Sequence, residues 1–200
     1  AVRMGGSGSI KWRRDGTEFT VRQLLDHLVG ESDNTAMMML IDEVGMSFLQ
    51  RFLPQIGLVD TDIGPDGLRL TSGRVRQENY TTAREMGTLL ESIYRGKVVN
   101  NFASELMLDI LKIRRPRSRL AKYLPPGWQI AHKTGLLRRS CHDAAIIFSP
   151  DGDYVFVVLT GRVGSYHAAK DFIARLGRIS YRTYRSGAGL YARAGGSLAR

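Results

Sequence analysis

The sequence has little cysteine and no long apolar run. Cys141 is the one cysteine among 200 residues, so an internal disulfide is excluded. No apolar run approaches the roughly 20 residues that a membrane-spanning helix needs. The four histidines are scattered and show no metal-ligand spacing with Cys141, so the sequence predicts neither a metal nor another cofactor.

Acidic residues are also scarce relative to basic ones. Lys and Arg number 29 against 19 Asp and Glu, which gives a net charge of +10. Basic side chains concentrate between Lys112 and Lys122 and again from Arg175 onward. No nucleic-acid-binding motif accompanies this charge, so a solvated, arginine-rich surface is the first interpretation. A basic nucleic-acid-binding protein is the weaker alternative.

The first residues lack two further features. The chain starts at Ala1 rather than at a Met, and the Gly-rich segment that follows has no apolar signal-peptide core. We therefore expect a processed or truncated chain. Gly5–Ser9 has the composition of a loop.

What the sequence does contain is a series of segments with helical periodicity. Val21, Leu24, Leu25 and Leu28 recur at i, i+3, i+4 and i+7, which predicts an amphipathic helix over 21–29. Further helices are predicted over 35–44, 46–56, 83–94, 101–112 and 165–184. The connection over 58–80 carries four residues of Gly and Pro and no sustained period, and connections of this length are usually functional or mobile.

Short β-prone segments lie between the last two helices. Strands are predicted over 128–135, 144–149 and 154–160, and Pro150–Asp153 predicts a hairpin turn between the second and third. Helices followed by strands and a closing helix predict an α+β fold, with a helical layer packed on an antiparallel sheet. We predict one domain over 1–185 and a disordered, Gly-rich tail over 186–200.

Two polar triplets are the chemically informative features. Ser32-Asp33-Asn34 lies between two predicted helices, and Lys133-Thr134-Gly135 ends an apolar segment. Alone, the first triplet is also an ordinary N-cap sequence and the second can simply end a strand. Together, in this order and 101 positions apart, they resemble the triplets of class A β-lactamase-type serine hydrolases, which share a fold with D-alanyl-D-alanine peptidases. The supporting stretches are Phe19–Leu25, Thr35-Ala36, Ile56–Leu58 with Asp60-Thr61, and Tyr80–Met86.

The resemblance implies roles for the first triplet. Ser32 would carry a proton to the leaving nitrogen during acyl transfer. Asn34 would hydrogen-bond the amide of the substrate side chain, and Asp33 would brace the turn.

It implies a complementary set of roles for the second triplet. Lys133 would lie near Ser32 and attract the substrate carboxylate, which Thr134 would bind directly. Gly135 would let the substrate approach the strand edge, where a side chain would block it. The backbone N–H of Leu136 would form half of the oxyanion hole. His132, and His142 with Asp143, are interpreted as strand-edge packing rather than as a catalytic pair.

The Ser-x-x-Lys of the resemblance, which carries the nucleophile, is missing. No serine of the chain has a lysine three positions later; Ser92 with Arg95 is the nearest imitation, and arginine cannot act as a base. We expect an N-terminally incomplete domain that lacks its first strands and its nucleophile helix. Such a chain is expected to be inactive by itself and prone to associate.

The connection over 58–80 also departs from the family pattern. It has no Glu-x-x-Leu-Asn, and its first glutamate is Glu78. Asp62 or Asp66 could activate the deacylating water in its place. The resemblance thus implies a periplasmic or secreted serine hydrolase that opens β-lactam rings through an acyl-enzyme. The alternatives are a D-alanyl-D-alanine peptidase-like enzyme acting on cell-wall peptides and a non-catalytic penicillin-binding relative.

Overall fold

The structure, a computed structural model, describes residues 3–65, 67–68, 77–113 and 116–195, with side chains described through residue 184. The chain divides into two compact units, Ala1–Arg115 and Pro116–Arg200. Each unit has its own hydrophobic cluster. The single domain predicted over 1–185 stays a prediction.

The first unit is helical. A 3-10 turn at Ile10–Trp12 precedes the helices described in this unit, and each of those helices matches a predicted one with ends shifted by two residues or fewer. They are Val21–Glu31 (α1), Asn34–Val44 (α2), Met46–Gln55 (α3), Ala83–Tyr94 (α4) and Asn101–Leu111 (α5). Thr20 and Gln23 form a reciprocal capping box that begins α1 at Val21, the residue at which the helix was predicted to start.

The core of this unit is formed where α1, α2 and the N-terminal segment meet. Ile10, Leu24 and Ala36 are buried there, and partly buried side chains pack around them. The sequence of α2 is apolar on nearly every side of the helix, which predicts that the helix is buried. Instead, Met37–Ile41 is half-buried, and only Thr35 and Ala36 of this helix are buried. Periodicity could not show this, because a helix that is apolar all round has no polar face to mark the side left open.

The second unit is an antiparallel sheet with one long helix. Its strands are Gln129–Leu137 (β1), Ser140–Phe148 (β2) and Tyr154–Thr160 (β3), in the order β1-β2-β3. Leu120, Trp128, Ile147, Ile173 and Tyr181 belong to the buried cluster between the sheet, the 3-10 turn Arg119–Tyr123 and the helix. The α+β fold predicted from the sequence is confirmed.

The second strand begins four residues earlier than predicted. Arg138 and Arg139 connect β1 to β2 in a two-residue turn, with φ of 44° and 62°. Such turns need positive φ at both positions and favour Asn and Gly. Arg-Arg gives no such signal, so the sequence placed the start of the strand at Ala144 instead of Ser140.

The closing helix, Tyr166–Gly195 (α6), runs past its predicted end at Tyr184. Gly187 and Gly189 were predicted to belong to a disordered tail. A glycine inside a helix costs only about 1 kcal/mol relative to alanine, and the neighbouring Ala, Leu and Arg residues favour a helix. Residues 196–200 lie outside the described residues, and disorder of the tail in solution stays a prediction. None of the described helices is both long and apolar enough to cross a membrane.

Candidate functional site

Ser32 sits in an unusual backbone conformation at the junction of α1 and α2. Its φ of 53° and ψ of 43° place it in the left-handed region, which costs a non-glycine residue about 1–2 kcal/mol. The reversal closes α1, because the N–H groups of Ser32 and Asp33 both donate to the carbonyl of His27. Strained residues of this kind persist where the surrounding structure fixes them, and they cluster at functional sites.

Asp33 is the group that fixes the turn. Its carboxylate is fully buried and accepts three backbone N–H bonds. Oδ1 receives those of Thr35 and Ala36, at 2.8 and 2.9 Å, and thereby caps α2. Oδ2 receives the N–H of Ile10 at 2.8 Å. The resemblance implied a bracing role for Asp33, and the contacts show that bracing.

The Gly-rich segment before Ile10 lies against the same turn. Asn34 donates its side-chain amide to the carbonyl of Gly5 at 2.9 Å, and its backbone N–H to the carbonyl of Ser7 at 3.2 Å. A Cβ on Gly8 would lie 2.2 Å from Asp33 Cγ, so only glycine fits there. The Gly-rich segment, which its composition predicted to be a loop, therefore packs against the Ser32-Asp33-Asn34 turn and helps to fix it. The amide expected to bind substrate is bonded to this loop.

The Lys133-Thr134-Gly135 triplet lies in β1, an edge strand of the described sheet. All three residues are half-buried. Lys133 Nζ donates to the carbonyl of Thr134 at 2.9 Å. The following residue, Leu136, is 44% exposed and pairs with Cys141.

Gly135 was expected to leave room for substrate. The described contacts give a different reason for a glycine at this position. It pairs with His142 of β2, and a Cβ would lie 3.1 Å from His142 Cδ2. Burial lowers the pKa of His142, a backbone hydrogen bond at Cys141 partly opposes this, and the charge of Arg119 makes a smaller contribution that lowers the pKa further. Space for a substrate at Gly135 stays a prediction.

Arg119 is a charged residue beside the triplet that sequence reasoning missed. It is buried and its φ is 49°. Its Nη2 donates to the carbonyl of Gly135 at 3.4 Å, and its Nε lies 3.4 Å from Cys141 Sγ. The sequence counted it only as one of the arginines between Lys112 and Lys122. Its burial depends on pairing between distant segments, so no local signal could have separated it from its exposed neighbours.

A buried histidine–aspartate pair lies next to Lys133. His132 Nδ1 is 2.9 Å from Asp143 Oδ1, and the two side chains are 6% and 0% exposed. Asp143 Oδ2 also accepts the N–H of Leu120 at 3.1 Å. The pair therefore ties β1 and β2 to the turn that carries Arg119. This agrees with the packing role expected for these residues, although their burial is deeper than a strand edge suggests.

In the connection over 58–80, Glu85 of α4 anchors the first residues. Its Oε1 accepts the N–H of Asp60 at 2.7 Å, and its Oε2 accepts the hydroxyl of Thr61 at 2.5 Å. Thr61 is also 2.8 Å from the hydroxyl of Thr81. Thr82-x-x-Glu85 has the pattern of a capping box, but the carboxylate turns to the loop instead. Sequence reasoning missed this anchor for that reason.

The candidate bases of this connection are placed as follows. Asp62 forms a backbone pair with Tyr80, and its Oδ2 accepts the side-chain amide of Gln77 at 2.6 Å. Glu78 is exposed. Asp66 lies outside the described residues. Asp60, which was not considered as a base, is exposed in the same connection.

The comparison with protein families identifies the chain. A model described as the Beta-lactamase enzyme family matches residues 1–184. The chain belongs to this family of β-lactamase-type serine hydrolases, as its two triplets predicted.

The individual relatives described next are named as β-lactamases, consistent with this family. The chain is 28% identical over 156 residues to "Beta-lactamase VEB-1" of Pseudomonas aeruginosa, covering 72% of this chain and 52% of the relative. It is 29% identical over 153 residues to "Beta-lactamase" of Bacillus licheniformis, covering 73% and 49%. The chain thus spans about half the length of the curated relatives that it matches.

Solved structures support the fold over a larger share of both this chain and the compared chains. The β-lactamase from Sphaerobacter thermophilus DSM 20745 is 26% identical, with a TM-score of 0.83 over 91% of this chain and 70% of that one. An ancestral class A β-lactamase, also 26% identical, gives 0.74 over 87% and 69%. PBP-A gives 0.81 over 92% and 68%, but at 23% identity it supports the fold alone.

Proposed function

We propose that this chain forms the substrate-holding part of a serine acyl hydrolase that opens β-lactam rings through an acyl-enzyme. The observation that carries the proposal is the left-handed Ser32, held beside a buried Asp33 that accepts hydrogen bonds from three backbone N–H groups. This arrangement fixes a hydroxyl in an otherwise unfavourable backbone position. A proton carrier needs such fixed placement, since proton transfer depends on hydrogen-bond reach.

The proposed reaction has two steps. In the first, a serine oxygen from a Ser-x-x-Lys outside this chain attacks the lactam carbonyl carbon. The ring C–N bond breaks, an ester forms, and the ring nitrogen takes a proton through Ser32 Oγ. In the second, water attacks the ester carbon, which releases the acid and returns the proton to the serine. Because this chain has no Ser-x-x-Lys, we propose that it is inactive by itself.

The second unit would supply charge and donors for the substrate. Lys133 and Arg119 are two cations on or against β1, and both suit a substrate carboxylate. Thr134 would donate its hydroxyl to the same carboxylate. The N–H of Leu136 would stabilise the oxyanion of the tetrahedral intermediate, a term often worth 10²–10³ in rate.

The alternative proposal is a D-alanyl-D-alanine peptidase-like enzyme acting on cell-wall peptides. It is favoured by the connection over 58–80, which has no Glu-x-x-Leu-Asn. Glu85 does not replace the missing base, because both its oxygens already accept hydrogen bonds from Asp60 and Thr61. A slow second step would turn penicillin into a long-lived acyl-enzyme. A non-catalytic penicillin-binding relative would form no acyl-enzyme at all.

Intact mass measurement on the whole natural protein with benzylpenicillin tests these proposals. A β-lactamase gives a transient mass increase with product, a peptidase a persistent increase, and a binding relative none. Ser32→Ala and Lys133→Ala in the whole protein should slow acylation at least tenfold. The matched controls are Ser92→Ala and Lys97→Ala, which lie outside both triplets. Nitrocefin turnover by the 200-residue chain alone would contradict its proposed inactivity.

The cellular location follows from the proposed substrate. Cell-wall peptides lie outside the cytoplasmic membrane, and β-lactams act on their target enzymes there. We therefore propose a periplasmic or secreted protein. Fractionation of cells that produce the whole protein tests this.

A further inference from the structure

Three side chains that can bind a metal converge beneath the turn at Ser32. His27 and Glu31 lie on the last turn of α1, and Asp33 follows directly. One ligand atom from each of the three lies within 4.8 Å of the other two. The proposed hydrolase reaction uses neither His27 nor Glu31, and it uses Asp33 only as a brace.

The left-handed Ser32 is the cause of this convergence. His27 and Glu31 share a helix face because they are four residues apart. Asp33 would point elsewhere if the helix continued. The reversal at Ser32 instead folds the chain back, so that the N–H of Asp33 donates to the carbonyl of His27 at 3.2 Å.

His27 has a buried nitrogen without a hydrogen bond among the described residues. Its Nδ1 is shielded from solvent, and no described residue forms a hydrogen bond with it. Glu31 Oε1 lies 3.2 Å away, within ion-pair distance but not in hydrogen-bond geometry. The two atoms are thus close enough for one cation to bind both of them. Phe19 packs edge-on against the imidazole, with ring centroids 5.9 Å apart, and limits its rotation.

Asp33 retains capacity for one further partner. A carboxylate has about four lone-pair positions. The N–H groups of Thr35 and Ala36 take the two on Oδ1, and that of Ile10 takes one on Oδ2. The fourth is available to a cation. Because the carboxylate is held by three donors, it would act as the fixed ligand to which the other two adjust.

We infer that His27, Glu31 and Asp33 form a binding site for a divalent transition-metal cation of the zinc type. Zinc binds nitrogen and carboxylate oxygen at about 2.0–2.2 Å, which places tetrahedral ligand atoms about 3.4 Å apart. The His27–Glu31 separation of 3.2 Å already fits. Glu31 is 45% exposed on its side chain and free to turn toward Asp33. One imidazole with two carboxylates suits zinc better than magnesium or calcium, which prefer oxygen ligands only.

Isothermal titration of the 200-residue chain with zinc chloride at pH 7 tests the site. We expect one equivalent to bind, with affinity at least tenfold weaker in His27→Gln and in Glu31→Gln. Magnesium chloride should give no comparable heat. Cobalt(II) should produce visible absorption bands that both substitutions remove. Far-UV circular dichroism establishes that each variant is folded, and Glu31→Gln carries the test if His27→Gln is not.

His167→Gln is the matched control. His167 and Asp171 form another i,i+4 histidine–carboxylate pair, but their atoms are 3.8 Å apart and the histidine is 90% exposed. Zinc affinity should be unchanged in this variant. Absence of zinc binding by the parent chain, as expected if His27 and Glu31 form only a proton-dependent ion pair, would overturn the inference. Equal affinity in the parent and Glu31→Gln would overturn it too. Neither result bears on the proposed hydrolase reaction, since none of these measurements uses a substrate.

Discussion

Each of the two triplets depends on a buried aspartate, and the two aspartates are held differently. Asp33 accepts hydrogen bonds from three backbone N–H groups. Asp143 accepts one backbone N–H, from Leu120, and faces the side chain of His132. Both carboxylates are fully buried.

The difference shows two ways of fixing a reactive residue. At Ser32 the backbone itself is unusual, so the carboxylate must hold the main chain of two segments, the turn at Ile10 and the start of α2. At Lys133 the backbone is an ordinary strand held by sheet pairing, and the aspartate only orients neighbouring groups. The turn should therefore be far more sensitive to substitution than the strand.

Asp33→Ala should have the largest effect. Three buried N–H groups lose their acceptor, so we expect about 4 kcal/mol of destabilisation. Urea unfolding followed by circular dichroism measures it. Asp26→Ala is the control on α1: its carboxylate is exposed and pairs with Arg22, so it should change stability by less than about 1 kcal/mol.

Gly8→Ala tests the same turn by changing the Gly-rich segment that packs against it. The new Cβ would overlap the Asp33 side chain, and the φ of +104° is unfavourable for alanine. We expect a loss of about 3 kcal/mol in urea unfolding. Gly5→Ala, which adds a Cβ in open space of the same loop, should change stability by less than about 0.5 kcal/mol. Equal effects of the two substitutions would show that the loop does not hold the turn.

Asp143→Asn should have an intermediate effect. The amide oxygen can still accept from Leu120, but the substitution removes the buried negative charge that faces His132, and we expect a loss of about 2 kcal/mol. Hydrogen exchange at the Leu120 amide should speed up as well. The exposed Asp151→Asn is the control. If Asp143→Asn reduced the stability as much as Asp33→Ala does, the two aspartates would not differ in their contribution to stability.

Glu85→Gln should cause a smaller loss of stability, and the size of this loss should depend on pH. Burial raises the pKa of Glu85, but hydrogen bonds from Asp60 and Thr61 together outweigh it and hold the pKa below its usual value. A carboxylate with a lowered pKa stabilises the folded chain above its unfolded-state pKa, and this contribution is lost as pH falls through the folded value. The melting-temperature difference between parent and variant should therefore be present at pH 7 and shrink below about pH 4. A constant difference would contradict this.

Gly135→Ala should have the smallest effect. Its Cβ would lie 3.1 Å from a half-buried His142 side chain that can shift, so we expect a loss of about 1 kcal/mol. Gly161→Ala, in open space of the same unit, is the stability control. If substrate also approaches this strand, acylation of the whole protein should fall more than stability does.

The elements were largely predictable, whereas their contacts were not. Helical periodicity and caps such as Thr20 are local, so helices appeared where expected. The Arg138-Arg139 turn was missed because its residues do not favour the conformation that the sheet imposes. The longer α6 was missed because glycine only weakens a helix and does not forbid one.

The sequence by itself determined the family, the α+β layout and the identity of both triplets, because order and spacing of rare combinations are visible without coordinates. Only the tertiary structure decided which charged groups are buried. Arg119, Asp33 and Asp143 look like other surface residues along the chain. They are buried because segments far apart in sequence bring backbone donors and acceptors to them, and burial of a charge depends on those partners rather than on its neighbours in sequence.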